Sequence, residues 1–265
     1  MRILIAFLLV CWPFFAVADD VCHADVPCVM EDGRSYHVKT PDGWDGVTPL
    51  PVMLHFHGWG RQGTLIVKHT RISGATRRRG VLLLAPNGAG RTWDFWRSDT
   101  ADVAFGERVL ADAAKRYPID FSNVFVSGYS YGSAMAWRFG CETSVDVRAV
   151  LAVSGTLRQD EDCAGMPREV RHVHGVTDTV MDFPMGRGGD ETYPVALWRR
   201  KFNCGDVLAR SEWSNVPPLA HQRSVWECDA GRRVVLDVHP SGHFIPKGWI
   251  ARQLDELLGR EPRLP

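Results

Sequence analysis

Ser130 stands at the centre of residues 128–132, whose sequence Gly-Tyr-Ser-Tyr-Gly has the pattern G-x-S-x-G. The pattern lies between an apolar segment that ends at Ser127 and a segment with helical spacing that begins near Tyr131. A sharp turn from a strand into a helix strains the backbone at the serine and lifts its hydroxyl above the sheet, and flanking glycines permit the close packing of such a turn. We therefore predict that Ser130 is a nucleophile for acyl transfer.

A serine hydroxyl needs a base, and the base needs a carboxylate to orient it. After a nucleophile on such a turn, the acid and then the histidine are expected on loops that follow later strands. Asp178 follows an apolar segment that ends at His174, and His243 follows the last apolar segment before the final helix. We predict that Asp178 is the acid and His243 the base. Asp182 remains an alternative acid, whereas His239 is expected to support the loop.

The negative charge that develops during acyl transfer needs hydrogen-bond donors. Residues 57–60, with the sequence His-Gly-Trp-Gly, follow the first buried strand, where a loop of this kind supplies one backbone N–H group. The residue after the nucleophile supplies a second at the start of a helix. The predicted oxyanion donors are thus the amides of Trp59 and Tyr131, and a simple glycine turn is the alternative for residues 57–60.

Two histidine pairs, His55 with His57 and His172 with His174, are each spaced two residues apart on predicted strands. This spacing is compatible with a metal site, but packing in the core or in a turn is the favoured interpretation. Acyl transfer by serine, histidine and aspartate requires no metal and no organic cofactor. We therefore predict none.

The elements that must position these residues alternate between strands and helices. The predicted strands are 35–39 at an edge, 51–56, 81–85, 123–127, 147–153, 170–174, 223–228 and 232–238. The predicted helices are 65–78, 131–139, 194–202 and 249–258, and one that runs from 103 up to the Tyr-Pro pair at 117–118. Strands separated by helices indicate an α/β fold with a mostly parallel sheet covered on both faces, which binds ligands at the carboxyl ends of its strands.

The first 18 residues combine a positive start, an apolar run and the small-residue sequence Ala-Val-Ala, which is typical of a secretory signal peptide. A retained membrane anchor is the alternative, but the run is short and a Trp-Pro pair interrupts it. We predict a signal peptide at 1–18 and a single catalytic domain at 19–265. The protein is then expected to be secreted or periplasmic, without stable membrane insertion after cleavage.

Six cysteines follow the predicted cleavage site, and an even number in an oxidising compartment suggests three disulfides. They are Cys22, Cys28, Cys141, Cys163, Cys204 and Cys228. Pairing between nearest neighbours is favoured, because the first pair shares one loop and each later pair brackets one connection. A zinc site is disfavoured since no C-x-x-C spacing occurs.

Length, composition and charge exclude several classes of protein. The chain has 265 residues, of which 45% are hydrophobic and 23% charged, with 31 basic and 31 acidic side chains. This is the composition of an ordinary globular protein, not of a disordered or fibrous one. The balanced charge gives no support for binding nucleic acid.

Several motifs together resemble one known family. They are H-G-W-G at 57–60, A-P-N-G at 85–88, D-V-A-F at 102–105, Y-P-I-D at 117–120, G-Y-S-Y-G at 128–132, H-G-V-T-D at 174–178 and G-H at 242–243. The combination is similar to the secreted polyhydroxybutyrate depolymerase and feruloyl esterase-like branch of the α/β-hydrolase fold. The resemblance implies Ser130, Asp178 and His243 as a triad, Trp59 and Tyr131 as oxyanion donors, and a disulfide between Cys204 and Cys228.

The sequence departs from that family beside the predicted site. Tyr131 stands where a small or amide residue is usual, and Ile245 stands where a tryptophan is common. The acyl specificity of relatives therefore does not transfer to this chain. Aromatic residues on nearby loops suit planar or apolar acyl groups. Those predicted to bind substrate are Trp93, Trp96, Tyr129 and Phe183.

These observations predict a secreted serine esterase that acts on a small-molecule or oligomeric ester. Hydroxycinnamoyl, short-chain and hydroxyalkanoate esters are the expected substrates. A peptidase or amidase on the same scaffold, and a non-catalytic binding protein of hydrolase type, are the alternatives. The natural substrate and the oligomeric state stay open.

Overall fold

The structure is a computed structural model that describes residues 22–158, 161–183 and 191–263. The predicted signal peptide at 1–18 and the proposed cleavage site lie outside these residues. The strands of the described chain are β1 (Cys28–Val29), β2 (Ser35–Lys39), β3 (Leu50–Phe56), β4 (Leu82–Pro86), β5 (Ile119–Tyr129), β6 (Ala149–Val153), β7 (Glu169–Gly175), β8 (Ala209–Val216), β9 (Leu219–Glu227) and β10 (Arg233–His239). The α-helices are α1 (Gly63–Ile66), α2 (Ser73–Arg77), α3 (Ala101–Ala114), α4 (Tyr131–Glu142), α5 (Tyr193–Lys201) and α6 (Trp249–Leu257).

Within the described residues the strands form one sheet in the order β1-β2-β4-β3-β5-β6-β7-β10-β9-β8. The six central strands pair in parallel with one another; they are β4, β3, β5, β6, β7 and β10. Antiparallel strands extend the sheet on both sides. Because the parallel strands all end at the same edge, the loops after β3, β5, β7 and β10 meet there. These are the loops that carry the predicted site residues.

Neighbouring residues of the central strands belong to two different cores. On β4, Leu84 packs in the larger core and Leu83 in the smaller one, and on β5 Val126 and Phe125 are divided in the same way. Side chains alternate across a strand, so both faces of these strands must be apolar. Helices α3, α4 and α5 contribute buried side chains to the larger core, and α2 and α6 contribute to the smaller one. The prediction of a mostly parallel sheet covered by helices on both faces is confirmed.

The edges of the sheet differ from the sequence-based prediction. The strand at 35–39 is not at the edge, because the two-residue strand β1 pairs with it. Strand β8 was not predicted at all. Its side chains are mostly exposed and polar, with Trp213 the buried exception, so it lacks the apolar signal of a core strand.

The helix predicted at 65–78 is two short helices in the structure, α1 and α2. Between them the chain makes tight turns, in which the N–H of His69 donates to the carbonyl of Ile66 and that of Ile72 to the carbonyl of His69. These bonds span three residues rather than four, which ends regular α-helix. Because of this break, residues 61–72 can form one wall of a cavity.

Three disulfides join the six cysteines as nearest neighbours. The pairs are Cys22 with Cys28, Cys141 with Cys163, and Cys204 with Cys228. The second pair ties the end of α4 to the segment before β7, and the third ties the chain after α5 to the end of β9. The first bridge closes the short segment before β1, the second encloses β6, and the third encloses β8 and β9. Across the described ranges, no helix has the length and apolar character needed to cross a bilayer.

Candidate active site

Ser130 occupies the turn between β5 and α4 with backbone angles φ 59° and ψ −124°. A positive φ is costly for a residue with a side chain, so the surrounding structure must hold this conformation. The Ser130 N–H donates to the carbonyl of Val153 at 3.0 Å, and its carbonyl accepts from Ser133 and Ala134 in the first turn of α4. The strained turn predicted from the sequence pattern is therefore present, and Ser130 lines a cavity.

The two glycines of the pattern lie where no side chain fits. A Cβ atom on Gly128 would stand 1.9 Å from the carbonyl oxygen of Gly132. A Cβ atom on Gly132 would stand 2.0 Å from the carbonyl oxygen of Phe56 at the end of β3. Backbone atoms cannot move aside as a flexible side chain can. The glycines therefore bring the loops after β3 and β5 into contact around Ser130.

His243 and Asp178 meet across the edge of the sheet. Nδ1 of His243 lies 2.7 Å from Oδ2 of Asp178, which is a short hydrogen bond between a ring nitrogen and a carboxylate. The other oxygen of Asp178 accepts from the N–H groups of Val180 and Met181 at 2.9 and 3.0 Å. Asp178 is only 4% exposed, so these partners compensate a charge that water hardly reaches.

The loops of these two residues are held together by their backbones. The N–H of Val176 donates to the carbonyl of His239, and a Cβ atom on Gly175 would stand 1.9 Å from the carbonyl of Ser241. The hydroxyl of Tyr129 donates to the carbonyl of His243 at 3.2 Å, and their rings lie 4.9 Å apart. His243 is thereby fixed next to the residue that precedes Ser130.

The alternatives for the base and the acid lie elsewhere. His239 is buried, its Nδ1 accepts from the N–H of Ser241, and burial lowers its pKa to about 4. It supports the histidine loop, as expected. Asp182 is exposed, and Asp178 is the carboxylate that contacts His243.

A second histidine lies beside Asp178. Nε2 of His174 is 3.4 Å from Oδ2 of Asp178 and 2.8 Å from the carbonyl of Met181, and its Nδ1 is 3.1 Å from Nε2 of His172. Burial lowers the pKa of both His174 and His172, which favours two neutral rings. His174 is thus a packed neutral neighbour of Asp178 and not a competing cation. The pair serves the core, and among the described residues no cluster of three or more His, Cys, Asp or Glu side chains is arranged to hold a metal.

His57 holds the loop that carries Trp59. Its Nδ1 lies 2.8 Å from the carbonyl of Gly58, and its Nε2 accepts from the N–H of Gly88 at 3.0 Å. Burial lowers the pKa of His57 to about 4, so the neutral ring can accept that bond. Gly58 approaches Ser130 closely, since a Cβ atom on it would stand 3.7 Å from the Ser130 Cβ. Residues 57–60 therefore border the serine, and both Trp59 and Tyr131 line the same cavity.

The cavity beside Ser130 and His243 has a volume of about 780 Å³. One part of its wall is apolar and comes from Leu65, Ile66, Ile72, Val180, Phe244 and Ile245. Another part is basic and comes from Arg61, Lys68, His69 and Arg71. Residues 61–72 were not expected to line the site, because no catalytic motif marks them and their spacing predicts an ordinary helix from residue 65. A signal was available in the cluster of basic residues directly after the H-G-W-G loop.

The predicted substrate-binding aromatics need correction. Tyr129 lines the cavity, but Trp93, Trp96 and Phe183 are not among its lining residues. Trp93 is only 2% exposed, because its ring packs edge-on against Phe56 and its Nε1–H donates to the carbonyl of His57 at 2.7 Å. Trp93 therefore supports the loop at residues 57–60 and does not line the cavity.

Trp96 and Phe183 pack against other rings and do not themselves line the cavity. Trp96 is exposed and lies edge-on to Tyr131 with ring centres 5.9 Å apart. Phe183 packs edge-on against His174 at 5.3 Å. Trp96 thus contacts Tyr131, which lines the cavity, and Phe183 packs against His174 next to Asp178.

Comparisons with known proteins agree with this architecture. A probable feruloyl esterase C of Aspergillus niger is 28% identical over 160 residues, which are 58% of this chain and 58% of that protein. A feruloyl esterase D of Neurospora crassa is 27% identical over 229 residues, which are 79% of this chain and 73% of that protein. The chain thus spans little more than half the length of the first of these relatives. No model of a protein family matches the chain.

A search of solved structures gives the same fold. The acetyl xylan esterase from Aspergillus awamori superimposes with a TM-score of 0.59 at 14% identity, covering 80% of this chain and 90% of that one. The expected resemblance is confirmed by these sequences, and the expected fold by this structure. The chain is therefore an α/β-hydrolase by fold that resembles the feruloyl esterases in sequence.

Proposed function

We propose that this protein is a serine hydrolase of carboxylic esters, with Ser130 as nucleophile, His243 as base and Asp178 as acid. One observation carries the proposal: His243, hydrogen-bonded to the buried Asp178 at 2.7 Å, lines the same cavity as a serine on a strained strand-to-helix turn. A serine and a carboxylate-bound histidine that border one open cavity form the arrangement that acyl transfer by a serine requires. Relatives named as feruloyl esterases support the ester as substrate.

The chemistry follows from the arrangement of protons. The carboxylate of Asp178 keeps a proton on Nδ1 of His243, so Nε2 is free to take the proton of the Ser130 hydroxyl as the oxygen attacks the ester carbonyl. The imidazolium that forms lies against Asp178, which stabilises it, and it then protonates the departing alcohol. Water hydrolyses the acyl-enzyme through the same base. None of these steps requires a metal or an organic cofactor.

The amides of Trp59 and Tyr131 are proposed to hold the oxyanion. Tyr131 is the first residue of α4, where the N–H groups have no partner within the helix and the helix dipole favours negative charge. Trp59 lies on the loop that Gly58 brings against Ser130. Such donors contribute about 3 to 4 kcal/mol each to lowering a barrier of this kind.

The proposal includes the organisation of the chain. Residues 1–18 are a signal peptide, residues 19–265 form one catalytic domain, and the mature protein is secreted or periplasmic. Three disulfides are compatible with an oxidising compartment. The aromatic and apolar lining of the cavity suits hydroxycinnamoyl or short acyl groups.

The test uses a fluorophosphonate probe and an activated ester on purified protein. The wild type is expected to be labelled, and Ser130→Ala is expected to lose labelling and at least about a thousandfold of its hydrolysis of 4-nitrophenyl acetate. Ser211→Ala, on the exposed strand β8, is the matched control and keeps both. Full hydrolysis by a folded Ser130→Ala variant would overturn the proposal. A matched pair of an ester and an amide separates an esterase from a peptidase.

A further inference from the structure

One wall of the cavity beside Ser130 carries an excess of positive charge. Arg61, Lys68 and Arg71 contribute to this wall, and among the described lining residues there is no aspartate or glutamate. Asp178 lies beneath His243, buried and outside the lining. The whole chain is electrically balanced, with 31 basic and 31 acidic side chains, so this local excess is not a consequence of overall composition.

The contacts of the three residues leave most of this charge uncompensated. Lys68 pairs with Asp25 at 2.8 Å, but both side chains are more than half exposed, so that ion pair is weak. Arg71 donates to the carbonyl oxygen of Ile245, a neutral acceptor. Within the described part of the chain, no carboxylate lies within ion-pair distance of Arg61 or Arg71. Both arginines thus line the cavity without an anionic partner among the residues that the structure describes.

These two arginines belong to segments that adjoin the proposed catalytic residues. Arg71 binds the backbone of Ile245, two residues after His243, and this contact fixes it beside the histidine loop. Arg61 lies two residues after Trp59. Burial raises the pKa of the Tyr129 hydroxyl to about 12, and the positive charge of Arg61 opposes that rise. An anion in the cavity would therefore lie close to Ser130 and close to both cations.

We propose that the ester substrate of this protein carries an ionised acid group, which Arg61 and Arg71 bind next to the ester that Ser130 attacks. The inference rests on the proposed esterase function and specifies its substrate class. A guanidinium group binds a carboxylate through two parallel hydrogen bonds, and it keeps its charge at every physiological pH. Apolar residues that line the same cavity as the arginines and Ser130, such as Leu65 and Ile72, suit the carbon skeleton that joins the acid group to the ester.

The acid group can belong to the acyl part or to the alcohol part of the ester, and two pairs of compounds separate these cases. For the acyl part, the 4-nitrophenyl monoester of adipic acid is compared with the 4-nitrophenyl ester of adipic acid monoamide. For the alcohol part, 4-acetoxybenzoate is compared with 4-acetoxybenzamide. Within each pair the size is nearly equal and the main difference is the charge. Each rate is corrected for spontaneous hydrolysis, and kcat/KM is measured at low and high salt.

The wild type is expected to prefer the charged member of at least one pair by about fivefold or more in kcat/KM, because the basic wall of the cavity attracts a negative charge. The preference should shrink when the salt concentration rises from about 0.02 M to about 0.5 M, since exposed charges are screened. The pair that shows it identifies the part of the ester that bears the acid group.

Variants assign the preference to the two arginines. Arg61→Gln and Arg71→Gln should each reduce the ratio of charged to neutral kcat/KM by about threefold or more. Arg71→Lys keeps the charge and a donor for the Ile245 carbonyl, so it should retain most of the ratio. Arg210→Gln, which removes an exposed cation from β8 outside the cavity, is the matched control and should not alter the ratio.

Each outcome bears on one of the two proposals. Hydrolysis of the neutral esters without any preference for the charged ones would overturn the substrate inference and leave the esterase proposal intact. A preference that survives both glutamine variants would also overturn it, because the charge would then act from elsewhere. Failure to hydrolyse all four esters would overturn the proposed function itself.

Discussion

The carboxylate oxygen Oδ2 of Asp178 lies 2.7 Å from Nδ1 of His243, although the two residues are 65 positions apart in the chain. The first follows β7 and the second follows β10, and these strands are parallel neighbours in the sheet. Their loops therefore leave the sheet side by side. Once the two strands are paired in register, their loops are close enough for the side chains of Asp178 and His243 to meet.

Replacing Asp178 by asparagine tests what this contact does. The amide of the new side chain can present an N–H group to His243 or a weaker acceptor, so the imidazole loses both its fixed tautomer and its stabilising charge. We expect Asp178→Asn to reduce kcat for a 4-nitrophenyl ester by at least about a thousandfold with the fold retained. Asp182→Asn, at an exposed position four residues along, should keep nearly wild-type kcat. Equal losses in both variants would contradict the assignment of Asp178.

Gly132→Ala tests the packing around the serine turn. The new Cβ atom would stand 2.0 Å from the carbonyl oxygen of Phe56, so α4 or β3 must move. We expect the free energy of unfolding to fall by about 3 kcal/mol, and hydrolysis to fall with it because Ser130 begins the same turn. Gly205→Ala is the matched control, since a Cβ atom there has open space around it. Urea unfolding of both variants measures the difference, and a Gly132→Ala variant as stable as the control would refute the steric argument.

His57 should make stability depend on pH. Burial lowers the pKa of His57 from 6.5 to about 4. The unprotonated Nε2 accepts from the N–H of Gly88. In the unfolded chain the same ring binds a proton near pH 6.5. Its contribution is therefore fully present above that pH and is lost as the pH falls from about 6.5 to about 4, a loss on the order of 3 kcal/mol.

Urea unfolding of His57→Gln at pH 7 and at pH 4.5 checks this contribution. The variant should be less stable than wild type at pH 7, and its stability should change less between the two pH values. His23→Gln, at an exposed histidine, serves as the control and should follow the wild type. A pH dependence of His57→Gln as steep as that of wild type would show that other groups cause it.

The disulfide between Cys204 and Cys228 should stabilise the region that supports the last parallel strand. It closes a loop with a sequence separation of 24, and β9 at one end of that loop pairs with β10, which leads to His243. We expect the double variant Cys204→Ala/Cys228→Ala to lose about 3 kcal/mol of unfolding free energy. Thermal unfolding with and without a reducing agent measures this. If a reducing agent still lowers the melting temperature of the double variant, the further loss comes from the other two bridges. A double variant as stable as the wild type would contradict the prediction.

Much of the fold could be predicted because its signals are local. Residues 35–39 form a strand with the predicted bounds, and the helix after the serine begins at Tyr131 as the motif indicates. Strands that are buried on both faces must be apolar throughout, so they stand out in the sequence. Strand β8 carries no such signal, because its side chains face water and its place in the sheet depends only on pairing with β9.

Local patterns in the sequence predict which loops follow the parallel strands and which residue types stand on them, so Ser130, Asp178 and His243 could be named as candidates. Which neighbours share the cavity with them depends on contacts between distant parts of the folded chain. Trp93 and Arg71 illustrate the difference: the first is buried because the carbonyl of His57 accepts its indole N–H, and the second borders the cavity because the carbonyl of Ile245 holds it. Such partners lie 36 and 174 positions away in the chain, and no local pattern encodes which distant backbone group a side chain will meet.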